Sequence, residues 1–153
     1  MVTHHNVSMH LEDLKNNITK DSMVDDTELG KEATRTPQLH GKYLNILADL
    51  KLTLGKQMND YAILKLRLWK IYTGKASKEE LDAWGEEPSD LTLLKTDVDR
   101  FIEGDPKIIE LKSKILLNET KVKMVEEFLK SLNNRNFLIK SAIDWFKMSQ
   151  GII

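Results

Sequence analysis

A chain of 153 residues can bury one modest core but not two independent ones. Its 41% hydrophobic and 31% charged residues, net charge −1, are an ordinary balance for a water-soluble domain, and no run approaches the roughly eighteen apolar residues of a membrane span. The absence of cysteine excludes disulfide staples, thiol nucleophiles and thiolate metal sites, and it fits a reducing cytoplasm.

Residues 1–8 read as a flexible leader, and the stretch through His10 is too polar for a secretory signal. His4 and His5 invite a metal reading. A flexible leader cannot fix coordination geometry, however, and no carboxylate stands at ligand spacing, so no metal is expected. Leu11, Leu14 and Ile18 are spaced for one short amphipathic helix. Asp25 or Asp26 can cap a second short helix through Leu29 to Ala33. Thr36-Pro37 then supplies a cap and a first-turn proline for a long helix.

That helix carries Tyr43, Leu47, Leu50, Leu54, Tyr61, Leu64, Leu68 and Ile71 at steps of three and four, interrupted by Gln57. The spacing sets them on one narrow seam, the pattern of helices packed along their length. Residues 42–72 also hold six basic and two acidic side chains, net +4, a concentration that the overall charge conceals. Lys56 lies within it, and Lys65, Arg67, Trp69, Lys70 and Tyr72 cluster at its end, before Thr73-Gly74. Cations suit phosphates, and flat rings suit unpaired bases, at about 1–3 kcal/mol per stacked base. The plain alternative is that Leu64, Leu68 and Ile71 are core and the charges merely solvate the helix. At about 100° per residue, Lys65 and Arg67 point to nearly opposite sides. One straight helix therefore cannot press both onto a strand without a bend or a neighbour.

Gly74 is placed for a left-handed helix end, and Ser77 with Glu80 forms the pattern of a capping box. Residues 73–104 hold four basic and nine acidic side chains, net −5. Gly85 and Pro88 close the short helix there, and the remainder to Gly104 reads as only partly helical. Glu79-Glu80 and Glu86-Glu87 read as solubilising groups rather than acid–base pairs. Asp105-Pro106 starts the last helix, whose seam is Ile108, Leu111, Ile115, Val122, Val125, Leu129 and Leu132, interrupted by Asn118. Sequence leaves open whether it continues through Asn133-Asn134-Arg135-Asn136 toward Met148. Gln57 and Asn118 either fix register as buried amides or mark where the seam opens to water. Trp145 with Phe146 is a partner anchor or core, core being the commoner fate. No strand is indicated, and no glycine stands five residues before a Gly-Lys-Ser/Thr, so neither a phosphate-binding loop nor enzymatic activity is expected. The expected fold is all-α, a single helical domain over 9–153. Short N-terminal helices precede two long antiparallel ones, with 9–72 as basic helices, 73–104 as acidic connector and 105–150 as final helix.

Several of these residues, in order, resemble the UvsY family, recombination mediator proteins of tailed bacteriophages related to the T-even group. The likeness begins at Met9-His10-Leu11-Glu12-Asp13-Leu14 and continues through Asp25, Thr27, Leu29, Glu32-Ala33, Leu39, Lys42 and Leu44. It is most specific at Leu64-Lys65-x-Arg67-Leu68 followed by Tyr72-Thr73-Gly74, and recurs in Arg135, Ile139-Lys140 and Gly151. The resemblance implies a protein without enzymatic activity or cofactor that binds single-stranded DNA and assembles as a closed ring of about six or seven subunits. Its implied partners are a phage RecA-like recombinase and the phage single-strand-binding protein, and its implied place is the host cytoplasm, with no membrane. It assigns DNA binding to Lys65 and Arg67; roles for Lys56, Trp69, Lys70 and Tyr72 rest on their chemistry alone. It assigns assembly to the final helix, hence to Leu111, Ile115, Val122, Val125, Leu129, Leu132 and Trp145. Two departures stand out: Trp69-Lys70 lengthens the stretch between Arg67 and Tyr72 by one residue, and Asn136 replaces a glycine after Arg135. A helical protein–protein adaptor and a structural coiled-coil protein are the rival readings.

Overall fold

A computed structural model describes residues 9–89 and 93–152; the leader, with His4 and His5, lies outside the described residues. Among the described residues the regular elements are all helices: α1 Leu11–Ser22, α2 Leu29–Tyr72, α3 Lys78–Trp84, α4 Lys95–Glu103 and α5 Pro106–Ser149. It divides into two compact units, one holding the described residues up to Lys51 and from Thr120 onward, the other Leu52–Glu119. The division falls within both long helices.

In the first unit α1 turns Leu14 fully inward, with Glu12 and Asp13 in its first turn and Lys20 in its last, as the helix dipole favours. The Asp25 carboxylate then accepts hydrogen bonds from the Thr27 backbone N–H (2.9 Å) and hydroxyl (2.6 Å), and α2 begins at Leu29. The expected separate helix at 29–33 and the start at Thr36-Pro37 are thus corrected: α2 is one helix of 44 residues with Pro37 inside it. A proline there removes one N–H donor and crowds a carbonyl, at a cost of about 3 kcal/mol. Tertiary contacts on both sides of Pro37 offset that cost. Glu32 forms a buried ion pair with Arg135, Arg35 reaches Asp21 (2.8 Å), the Thr36 hydroxyl donates to Asn136 (2.8 Å), and Leu39 is buried.

The contacts of Glu32 with Arg135, Tyr43 with Phe128 and Lys51 with Glu126 run upward on α2 as they run downward on α5, so the two pack antiparallel in this unit. Val122, Val125, Leu129, Leu132 and Ile139 of α5 are buried, as are Leu39, Tyr43 and Leu50 of α2. α5 passes unbroken through Asn133–Asn136, because Arg135 and Asn136 are both bonded to α2.

In the second unit α2 and α5 are again antiparallel, with Leu68 and Ile108 in one core with Val98 and Ile102 of α4. The two seam amides meet: Asn118 Nδ2 donates to Gln57 Oε1 at 2.8 Å, with Asn118 buried. Pairing, rather than exposure to water, therefore settles their role. α2 ends as the sequence indicates, with Gly74 at φ 67°, and the N–H groups of Lys75 and Gly74 return to the carbonyls of Lys70 and Ile71. The capping box of Ser77 and Glu80 opens α3, and the Asp105 carboxylate caps α5 through the Lys107 N–H (2.8 Å). The connector is more ordered than its composition promised, since α4 as well as α3 forms within it.

The carboxylate of Asp21 is buried and receives Arg35, Lys42 (2.6 Å) and the Tyr43 hydroxyl (3.0 Å). Burial alone would raise its pKa, but the hydrogen bonds and charges of these partners outweigh that and hold it below the usual 3.8. A depressed folded pKa contributes stability that is present above the unfolded value and lost as pH falls through the folded one. Asp21→Asn should therefore lower the thermal midpoint at neutral pH and flatten its decline below about pH 4, as circular dichroism across a pH series would read.

Candidate nucleic-acid interface

The basic end of α2 lies wholly in the second unit, where the acidic connector folds back onto it. Lys65 Nζ stands 3.6 Å from Glu103 at the end of α4. Lys70 pairs with Glu80, whose other oxygen accepts the Ser77 N–H (3.0 Å). That carboxylate is held below the usual range by Lys70 first and Ser77 second, so Lys70 is tied to the capping box of α3. The Arg67 guanidinium lies over the Trp84 ring, 5.1 Å from its centroid, with a buried Nε that has no hydrogen-bond partner among the described residues.

The two rings are not freely offered either. Trp69 is half-buried against the core, with Lys75 Nζ 4.3 Å from its ring centroid. Tyr72 packs on the same core and on Phe101, and its hydroxyl points to Asp105 at 3.5 Å. Burial first, and the Asp105 charge second, push that hydroxyl above its ordinary range. Lys56 is exposed and carries no ion pair among the described residues. The chosen cations are thus not one array. Lys65 faces α4, and Arg67 and Lys70 face α3.

Sequence reasoning missed two lysines at the start of α5. Lys112 pairs with Glu103, the same carboxylate that Lys65 approaches. Lys107 pairs with Glu86 at 2.5 Å and is close enough to Arg67 to feel its repulsion. Lys65 and Arg67 thus diverge as their helical spacing requires, and each has an α5 lysine in its own neighbourhood. The Asp105-Pro106 start signal located these lysines on the first turns of α5, but nothing in the chain announced which face of α2 they would meet.

Of the residues assigned to assembly, Val122, Val125, Leu129 and Leu132 are buried within the chain's own fold, and Val125 exposes no surface at all. Leu111 and Ile115 are half-buried. Trp145 is 71% exposed, so the core reading of that residue is corrected. Phe137, Leu138, Phe146 and Met148 share its exposure at the end of α5. A groove of about 730 Å³ runs past Trp145 and Phe146 to Leu29 and Gly30.

A family profile described as the recombination, repair and ssDNA binding protein UvsY matches residues 17–152. Crystal structures of the bacteriophage T4 recombination mediator protein UvsY share the fold. The form in lattice type II is 21% identical with TM-score 0.81, covering 93% of this chain and 98% of that one. Lattice type IV gives 21% identity and 0.80, with 92% and 99% covered, and lattice type I gives 20% and 0.79, with 90% and 98%. No curated protein sequence matches the chain.

The stack of Arg67 on Trp84 is the contact that joins α3 to α2 beside the Lys70–Glu80 pair. Trp84→Ala should weaken that docking by at least about 0.5–1 kcal/mol. Hydrogen exchange should show faster opening of the α3 amides, with those of α1 unchanged.

Proposed function

We propose a function from one premise, that the chain belongs to the UvsY family of recombination, repair and single-stranded-DNA-binding proteins. It is a recombination mediator that binds single-stranded DNA as a ring of identical copies. It helps load a phage RecA-like recombinase onto DNA covered by the single-strand-binding protein, in the host cytoplasm and without catalysing a reaction. The observation that carries this reading is the family match over residues 17–152 together with Lys65 and Arg67 at the basic end of α2.

Physical chemistry supports the division of labour. Each copy offers a few partly paired cations, so its grip on a phosphate chain is weak and strongly salt-dependent. Repeating the site around a ring turns later contacts into intramolecular ones at high effective concentration. Such a ring holds a strand firmly yet releases it piecewise, which suits a protein that must yield to a recombinase. The exposed apolar end of α5, with Trp145, Phe146 and Met148, is a surface of this chain that burial in an assembly would satisfy.

No helix among the described residues is long and apolar enough to cross a membrane. The experiment is an equilibrium titration of a labelled oligonucleotide with parent and variant proteins, alongside mass measurement in solution. Lys65→Ala with Arg67→Ala should weaken binding, flatten its salt dependence and leave the assembly intact; unchanged affinity removes these two residues from the site. A parent that leaves oligonucleotide free at low salt would favour an adaptor instead. Trp145→Ala should shift the assembly toward smaller species, and an unchanged mass would place the contact elsewhere.

A further inference from the structure

Three donors converge on one carboxylate in the second unit. Glu103 Oε1 accepts from the Tyr61 hydroxyl at 3.1 Å and lies 3.6 Å from Lys65 Nζ, while Oε2 accepts from Lys112 Nζ. Lys112, and then Tyr61, draw that carboxylate below its ordinary pKa range, and Lys112 is raised in return. α2 contributes two of the donors and α5 the third. A carboxylate bound in this way shares with a backbone phosphodiester its single negative charge and its pair of acceptor oxygens.

The occupant is held in an unfavourable place. Glu103 is the last residue of α4, where the negative end of the helix dipole opposes a carboxylate. Its side chain is 38% exposed, and those of Lys65 and Lys112 are 41% and 50% exposed, so the pairs are of the solvated kind that contribute little to stability. Beside the cradle lies a groove of about 370 Å³ whose wall includes Tyr61, Lys65, Trp69 and Ile102. Tyr61 and Lys65 belong to both, so a phosphate in the cradle leaves room next to it for the rest of its nucleotide.

We propose that Tyr61, Lys65 and Lys112 form a phosphate-binding cradle for single-stranded DNA, which the Glu103 carboxylate fills until a strand phosphate takes its place. The inference rests on the DNA-binding reading above and adds two ligands, Lys112 and Tyr61, and a built-in competitor. Binding at this position is an exchange of one anion for another. That makes it weak per site without loss of the donors' geometry.

The test is fluorescence anisotropy of labelled oligothymidylate with the full chain at two salt concentrations. Glu103→Gln removes the competitor's charge and should tighten binding about two- to fivefold. Glu110→Gln, which removes the same charge from the exposed Lys114 pair on α5, is the control and should change affinity less. Lys112→Ala should weaken binding and lower the salt slope by about 0.7. A purely structural role for Glu103 predicts the opposite sign, since loosening α4 would impair the site. Equal or weaker binding by Glu103→Gln relative to Glu110→Gln, with helicity preserved, overturns the cradle. So does unchanged binding by Lys112→Ala, which decides alone if Glu103→Gln loses helicity. If Lys65→Ala with Arg67→Ala abolishes binding while Lys112→Ala does nothing, the cradle falls and the function stands. A parent that binds no oligothymidylate overturns both.

Discussion

An apolar seam between two helices can slip by a turn and still bury most of its surface, whereas a buried polar pair cannot. In the first unit Glu32 meets Arg135 and Thr36 meets Asn136; in the second Gln57 meets Asn118. A slip would strand a buried guanidinium, whose Nε and Nη1 already lack partners among the described residues, and leave amides unpaired, at a cost of several kcal/mol. These pairs fix which residues of α5 face which residues of α2. The alignment of Lys112 with Lys65, and of Lys107 with Arg67, follows from that register.

The same register gives the acidic connector its place. Within the second unit its carboxylates meet specific cations of α2 and α5: Glu103 meets Lys65 and Lys112, Glu80 meets Lys70, and Glu86 meets Lys107. They differ in what holds them. Glu80 is also bound to its own helix start, and Arg67 is stacked on Trp84, so these contacts belong to the architecture. Glu103 has only exposed or half-buried donors around it. On the proposed reading, the connector therefore both assembles the interface and competes for it.

Apolar residues on α5 include two contrasting sets. Val122, Val125, Leu129, Leu132 and Ile139 close the chain's own core, whereas Trp145, Phe146 and Met148 near the end remain exposed. The two sets have the same chemistry, so spacing alone does not say which of them meets another copy. Three-and-four spacing says that a face is covered, not by which chain.

Local rules acting over a few residues were legible in the sequence: the all-α class, the left-handed end at Gly74, the Ser77–Glu80 capping box and the Asp105 start of α5. So was the concentration of cations at Lys65 and Arg67. The continuity of α2 through Pro37 and of α5 through Asn133–Asn136 was not, because in both places long-range bonds override local propensity. Nor was the cradle around Glu103, whose members come from α2, α4 and α5. Residues far apart in the chain leave no mark in its spacing, so only packing in three dimensions could bring those charges to one point.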